Sequence, residues 1–233
     1  MVLVASGPHG SGNASGSIGP DTYSHNRFGQ YVRNRTKPIN PKTTRQVGVR
    51  TALSACAARW LNVVTAAQRA GWDLYGSSIA MKNALGQNML LSGYAHYLRT
   101  NIALSQAENI YIDAPPTVFA LPGKDPALAI TAATTTQLVS VSFDATQSWA
   151  AETGGRLLLL CGKPKLATRN FFAGPWRYMG DVDGSTPTPP TSPKTFTAPF
   201  TFAAGQKLWV QARILRADGR MTEPFQVSAV ASA

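Results

Sequence analysis

Acidic residues, cysteines and histidines are scarce in this chain of 233 residues, which contains 11 Asp and Glu, two Cys and three His. The cysteines, Cys56 and Cys161, lie far apart, so we expect neither a disulfide framework nor a cysteine-based zinc site. The histidines His9, His25 and His96 lack the spacing of metal ligands. We therefore predict no metal centre.

Long apolar runs are also missing. No stretch approaches the ~18–20 apolar residues that a membrane-spanning helix needs. The first residues, MVLVASGPHGSG, lack the basic region and the long apolar core of a secretory signal peptide. We therefore predict a protein with no membrane span, made in the cytoplasm without a signal peptide and exported, if at all, by another route.

The sequence shows no catalytic constellation. Ser24 and His25 are adjacent, but no nucleophile-elbow motif surrounds them. No acidic pair stands in a motif for general acid–base catalysis, and no Walker or dinucleotide-binding glycine pattern occurs. Asp181 and Asp183 flank Val182, but a calcium loop needs more oxygen ligands, so we expect a solvated turn there. We predict a protein that is not an enzyme and that uses no cofactor.

The most informative feature is a long basic segment. Only 14% of the residues are charged, yet the net charge is +11. Between Asp21 and Asp73 there is no acidic residue, and the basic residues are Arg27, Arg33, Arg35, Lys37, Lys42, Arg45, Arg50, Arg59 and Arg69. Such a segment predicts a negatively charged partner: nucleic acid, a membrane surface or an acidic face of another subunit.

The front of the chain combines a small-residue segment with a predicted hairpin. Residues 1–20 are rich in Gly and Ser and form a flexible arm, either as a disordered tail or as a tail that docks on another subunit. Residues 21–37 read as a β-hairpin with Gly29 in its turn. Tyr31, Arg33 and Arg35 then share one strand face, which suits a polyanion or an acidic protein groove.

Three helices are expected next. Thr43 or Thr44 caps the first, whose apolar stripe is Val49, Leu53, Cys56, Trp60 and Val64. A capping box at Thr65–Gln68 starts the second helix, which buries Trp72 and Tyr75 and stops at Gly76. After a small hairpin within residues 79–91, the third helix covers about 92–106. Its predicted buried face is Tyr94, Leu98 and Ile102.

The rest of the chain predicts a linker and a β-rich domain. Residues 109–126 contain four prolines and are expected to be a linker. From residue 127 about seven short strands follow without helical periodicity, which is typical of a β-sandwich. The predicted domains are therefore an arm (1–20), a basic hairpin with a three-helix unit (21–108), the linker (109–126) and a sandwich (127–233). The predicted fold class is α+β.

Two parts of the sequence resemble known families. The tail FAAGQKLWVQARILRADGRMTEPFQVSA is similar to the last two strands of fibronectin type III or immunoglobulin-like domains, except that Leu208 stands where that family usually has Tyr. The resemblance implies that Leu208, Val210, Ala212 and Ile214 face the core of the sandwich. It also implies that Gly219 lies in the turn between the last two strands.

The front segment NRFGQYVRNRTKPINP, with a following Q-R-x-x-W helix, resembles uncharacterised bacterial and bacteriophage proteins. That family has no established activity and assigns no functional residue. It implies a component of a virion or of a surface assembly.

Two other functions compete with assembly. The helix pair 44–75 has the form of a helix-turn-helix, in which Arg59, Gln68 and Arg69 would contact DNA. Trp176 and Trp209 would form a platform for carbohydrate if the sandwich exposed them, because Trp209 is out of phase with the predicted core.

The sequence favours a non-enzymatic structural protein of a bacteriophage particle (a tail, decoration or other virion protein) or of a surface filament. We predict that it assembles with copies of itself or with other particle proteins, and nucleic acid remains an alternative partner. The predicted interface residues are Arg27, Tyr31, Arg33, Arg35, Lys37, Lys42, Arg45, Arg50 and Trp209.

Overall fold

The chain divides into two compact units, residues 1–46 and 47–233. The computed structural model describes residues 3–4, 14–26, 29–37, 39–83, 86–107 and 110–232. The boundary between the units thus falls near the start of the first helix. It does not fall in the predicted linker 109–126.

The first unit is an antiparallel sheet with strand order β1-β2-β3-β4. Its strands are β1 (Leu3–Val4), β2 (Ala14–Ile18), β3 (Asp21–Asn26) and β4 (Gly29–Asn34). β3 and β4 pair from Asp21↔Asn34 to Asn26↔Gly29, which confirms the predicted hairpin. Part of the predicted arm is β2, which pairs with β3.

Three helices and a small hairpin follow. They are α1 (Thr44–Asn62), α2 (Ala66–Ser78), β5 (Ala80–Lys82), β6 (Asn88–Leu90) and α3 (Gly93–Ala107). β5 and β6 pair, as predicted. Thr65 caps α2 through the predicted capping box with Gln68. α2 continues two residues beyond Gly76, so this glycine does not end the helix.

The helices surround an aromatic core. It contains Cys56, Val64, Trp72, Tyr75, Ile79, Met81 and Tyr97. The predicted inward positions of Trp72 and Tyr75 are confirmed, since both are at most 1% exposed. The predicted face of α3 is partly right, because Leu98 and Ile102 are half-buried and pack against this core. The fully buried residues of α3 are others, namely Gly93, His96, Tyr97, Thr100, Asn101 and Leu104.

The segment predicted as a linker is bound to the helices at its start. The side-chain amide of Asn101 donates to the carbonyl of Ile112 (3.0 Å) and accepts from its N–H (2.7 Å). The indole of Trp72 donates to the carbonyl of Asp113 (3.0 Å). Tyr111 and Leu121 pack against the helical core. Proline content predicted the irregular backbone here, but it carried no information about these contacts.

The remaining chain forms two antiparallel sheets. Their strands are β7 (Ala129–Ala133), β8 (Leu138–Ser142), β9 (Arg156–Gly162), β10 (Lys165–Leu166), β11 (Trp176–Asp183), β12 (Lys194–Thr197), β13 (Gln206–Leu215) and β14 (Phe225–Val230). One sheet has the order β10-β13-β9-β11 with β14 also paired to β13, and the other has the order β12-β8-β7. The protein therefore has an α+β fold.

Both sheets contribute to one large hydrophobic core. It includes Val139 and Val141 from β8 and Leu157 and Leu159 from β9. Leu208, Val210, Ala212 and Ile214 of β13 are all buried in it, as predicted. Side chains that alternate along a strand point to opposite faces, so the odd-numbered residues of β13 lie on the outer face of its sheet.

α3 covers part of that outer face. Leu104 packs with Leu158, Leu215 and Met221 in a separate buried cluster. Arg99 donates to the carbonyls of Met221 (2.7 Å) and Thr222. The helices and the two sheets therefore belong to one unit, whereas the sequence predicted two domains.

Candidate assembly interface

The described side chains of the first unit's sheet form no buried core. Among the described residues of 15–46, every side chain is exposed or half-buried. Three large apolar residues are prominent on its surface: Ile18 is 57% exposed, Val32 58% and Ile39 88%. A small sheet is only marginally stable in water unless its hydrophobic face packs against another structural element. The described side chains of this sheet thus leave apolar area exposed.

β4 carries the basic face that the sequence predicted. It is the last strand of its sheet, and no described strand pairs with its outer edge. Tyr31 lies opposite Ser24, and Arg33 lies opposite Thr22. Tyr31, Arg33 and Arg35 alternate with Val32 and Asn34 and are all exposed. Arg27, in the predicted turn, lies outside the described residues.

The basic residues continue along the chain into α1. Lys37, Lys42, Arg45 and Arg50 are exposed, so the structure leaves all four accessible to a partner. The first turn of α1 is ordered by Thr43, whose hydroxyl accepts from the N–H of Gln46 (3.3 Å), while the Gln46 side chain accepts from the N–H of Thr43 (3.3 Å). This reciprocal capping presents Arg45 at the helix start.

The first half of α1 has apolar side chains that are only partly covered by the described residues. Val47, Val49 and Leu53 are 47%, 44% and 43% exposed. The predicted stripe is therefore half right, because Cys56 and Val64 are buried whereas Val49 and Leu53 are not. Val49 and Leu53 are one helical turn apart, so this side of α1 is a candidate contact surface.

Trp209 does not belong to an accessible surface, contrary to the prediction. It is 4% exposed, and the ring of Phe172 stacks on it at 5.3 Å between centroids. Trp176 contacts the same Phe172 ring edge-on at 4.9 Å. The two tryptophans pack together with Phe172 and do not form an open carbohydrate platform. Trp209 is indeed out of phase with the core, but a loop covers its face.

The residues that a helix-turn-helix would use on DNA are largely engaged within the protein. Arg59 donates two hydrogen bonds to Asp113, at 2.7 and 2.6 Å. These bonds hold the pKa of Asp113 below its usual value, and the bond to Asp113 raises the pKa of Arg59. Gln68 is bound to Thr65 in the capping box. Arg69, the third residue predicted to contact DNA, is half-buried.

Sequence reasoning missed the apolar half of the candidate interface. It selected charged residues and Tyr31, whereas the structure adds Ile18, Val32, Ile39 and Val47. A signal was present for Ile39, which lies between two prolines and therefore in a segment where no regular element could bury it.

The described residues give no sign of a metal site or of a membrane span. They contain no group of three or more His, Cys, Asp and Glu side chains close enough to hold a metal ion. Asp181 and Asp183, predicted to lie in a solvated turn, belong to β11 and pair with Arg156 at 2.7 and 2.8 Å. Of the helices described, none has both the length and the apolar character to cross a membrane.

Comparisons with known proteins assign no family. No family model matches the sequence, and no curated protein matches it. Among solved structures, the chain is similar to a Fn3-like protein from Clostridium thermocellum, with 13% identity and a TM-score of 0.31. That match covers 49% of this chain and 97% of the other. A likeness at this level establishes neither a shared fold nor a shared function.

Proposed function

We propose that this chain is a non-enzymatic structural subunit of a larger protein assembly and that residues 14–46 attach it to a neighbouring subunit. The observation that carries the proposal is the absence of any buried side chain among the described residues 15–46. Ordering each residue costs roughly 1–2 kcal/mol of backbone entropy, and burial must offset this cost. A neighbouring subunit that covers Ile18, Val32 and Ile39 supplies that burial.

The partner surface is expected to be acidic and to accept a strand. Arg33 and Arg35 each present a forked donor that matches a carboxylate. The outer edge of β4 offers backbone groups for strand addition by the partner. Tyr31 beside the two arginines provides apolar area, so these contacts are partly shielded from salt.

A bacteriophage virion or a surface filament is the setting we propose for this assembly. The resemblance of the segment 26–41 to uncharacterised phage and bacterial proteins supports it. We also propose that the two sheets around one core form a fibronectin-like or immunoglobulin-like sandwich. The alternation of core residues along β13 and its pairing with β14 support this. Such a domain serves as a rigid module in an assembly.

A truncation tests the role of the front segment. Deleting residues 1–42 keeps the Thr43 cap of α1 and leaves the second unit intact. We expect a folded protein that sediments as a monomer, whereas the full chain sediments as a larger species. Circular dichroism checks the fold. If the truncated protein assembles like the full chain, the front segment is not the connector.

A charge reversal distinguishes an acidic protein partner from DNA. In the double variant Arg33→Glu with Arg35→Glu, two charge-assisted contacts of about 1.5–3 kcal/mol each are lost, so assembly weakens by more than about 100-fold. The matched control is Lys163→Glu with Arg169→Glu, two exposed basic residues outside the first unit with the same change in charge. Assembly of the control should be unchanged.

Duplex DNA binding is measured on the same variants at two salt concentrations. Phosphate contacts weaken steeply with salt, whereas partly buried carboxylate contacts do not. Intact assembly together with lost DNA affinity would contradict the proposal and favour a DNA-binding protein.

A further inference from the structure

A cavity lies between α3 and the outer face of the five-stranded sheet. Its volume is about 290 Å³, just below the roughly 300–1,000 Å³ of common small-ligand sites. It belongs to the second unit alone, and residues of α3, β9, β11 and β13 line it. A cavity of this size between two layers is large enough for a small ligand.

Most of the lining is apolar. Leu98 and Ile102 are one helical turn apart on α3, and Ala103 follows on the same side. On the sheet, Leu158 and Leu160 alternate along β9 and therefore point to the same face. These side chains form two walls suited to the hydrocarbon body of a ligand.

Two arginines supply the charge. Arg99 and Arg213 both line the cavity, and no described lining residue is acidic. The Nε–H of Arg213 is buried and has no hydrogen-bond partner among the described residues. Arg99 already donates to the carbonyls of Met221 and Thr222, which hold it in place but do not neutralise it. Burial disfavours the charged form of Arg99 more than the nearby carboxylate of Glu223 favours it, and a bound anion would lower the remaining cost.

The electrostatics of the pair agree with this geometry. Burial, together with the positive charge of Arg213, lowers the pKa of Arg99 to about 10. Burial also lowers the pKa of Arg213. Each arginine thus lies where its charged form is less favoured than in water, and a nearby negative charge would stabilise both.

We propose that this cavity binds a small carboxylate with an apolar body, whose carboxylate contacts Arg213 and Arg99 and whose hydrocarbon part lies between Leu98, Ile102 and Leu158. Guanidinium groups bind carboxylates in a forked, bidentate geometry. Inorganic phosphate matches the charge but leaves the apolar walls unfilled, so the lining favours the amphipathic anion. The site is independent of the proposed assembly surface.

Hexanoate and hexan-1-ol are the probes, because they share the hydrocarbon body and differ in charge. We expect hexanoate to bind the full chain with a dissociation constant of about 1 mM or tighter, measured by calorimetry and by amide chemical shifts in α3 and β13. Hexan-1-ol should bind at least about tenfold more weakly. Equal affinity for the two probes, or no binding of hexanoate, would overturn the proposal.

Two variants locate the site. Arg213→Gln removes one of the two guanidinium groups that line the cavity and should weaken hexanoate binding at least about tenfold, whereas Arg169→Gln, at an exposed arginine outside the cavity, should leave affinity unchanged. Ala103→Phe keeps both arginines but fills the space and should abolish binding. Circular dichroism confirms that each variant is folded. Unchanged hexanoate affinity in both folded cavity variants would refute this site.

Discussion

Replacing Gly76 with Ala separates helix propensity from packing. Alanine is favoured over glycine inside a helix by about 1 kcal/mol, so propensity alone predicts a more stable protein. At Gly76, however, an added Cβ would lie 2.5 Å from the carbonyl oxygen of Leu91 and 2.9 Å from the amide nitrogen of Gly93. Both are backbone atoms, which cannot rotate away as a flexible side chain does.

The magnitude follows from how far the backbone must move. Relieving the 2.5 Å contact to an ordinary separation needs a displacement of about 1 Å between α2 and the start of α3. Such a shift loosens the packing of Trp72, Tyr75 and Tyr97 in the helical core. Overpacking costs typically 1–3 kcal/mol, so Gly76→Ala should be destabilising by about that amount despite the gain in propensity.

Thermal and urea unfolding measure the effect, and Gly48→Ala is the matched control. Gly48 lies within α1, and an added Cβ there meets no atom within 4 Å. Its substitution should stabilise by about 0.5–1 kcal/mol. Each kcal/mol shifts the Tm of a domain of this size by about 2–4 °C. Equal stabilisation by both substitutions would refute the close approach of α2 and α3.

Three further predictions follow from the second unit. Val210→Asp places a charge in the core shared by both sheets and should lower the free energy of unfolding by more than about 4 kcal/mol, measured by urea titration. The control Gln226→Asp, on the exposed side of β14, should lower it by less than about 0.5 kcal/mol. Residues 43–233 should express as a folded protein, whereas residues 127–233 alone should aggregate on size-exclusion chromatography, because Leu158 and Leu215 lose their cover. Asp113→Asn should lower stability by about 1–2 kcal/mol near pH 7. The pKa of Asp113 is lower in the folded protein than in the unfolded chain, where it is near 4, so its ion pair with Arg59 stabilises the fold above that pH. This stabilisation is lost as the pH falls through the folded pKa. The stability difference between Asp113→Asn and wild type, measured by thermal unfolding, should therefore shrink between pH 5 and pH 2.

Local signals in the sequence predicted the local structure well. The capping box at Thr65, the hairpin of β3 and β4 and the alternation along β13 all depend on residues close in sequence, and the structure has each of them. Periodicity also identified the apolar side of α1. It did not show which part of the helix is buried and which is exposed, because that depends on elements far away in sequence.

Two errors are local, at Gly76 and at Asp181 and Asp183, and the others concern contacts between distant segments. Trp209 is covered by Phe172, the predicted linker is held by Asn101 and Trp72, and the fully buried residues of α3 differ from the predicted ones because it packs on both the helical core and a sheet. Nothing in the composition of those segments encodes these partners. The candidate interface was accordingly predicted in its charges and missed in its apolar residues.

The basic residues of the chain lie in two different environments. In the second unit, arginines are used internally: Arg59 binds Asp113, Arg156 binds Asp181 and Asp183, and Arg99 binds backbone carbonyls. Removing any one of these arginines would leave the carboxylate or carbonyl group that it binds without this donor inside the same unit.

The basic residues of the first unit, at positions 33–45, are exposed, and so are the apolar side chains of Val32 and Ile39 in the same unit. Charge alone would suit a loosely held polyanion. Charge together with exposed Val32 and Ile39 is the combination on which the proposed protein partner rests, because another folded subunit can offer a surface that is both acidic and apolar, whereas a nucleic acid backbone cannot.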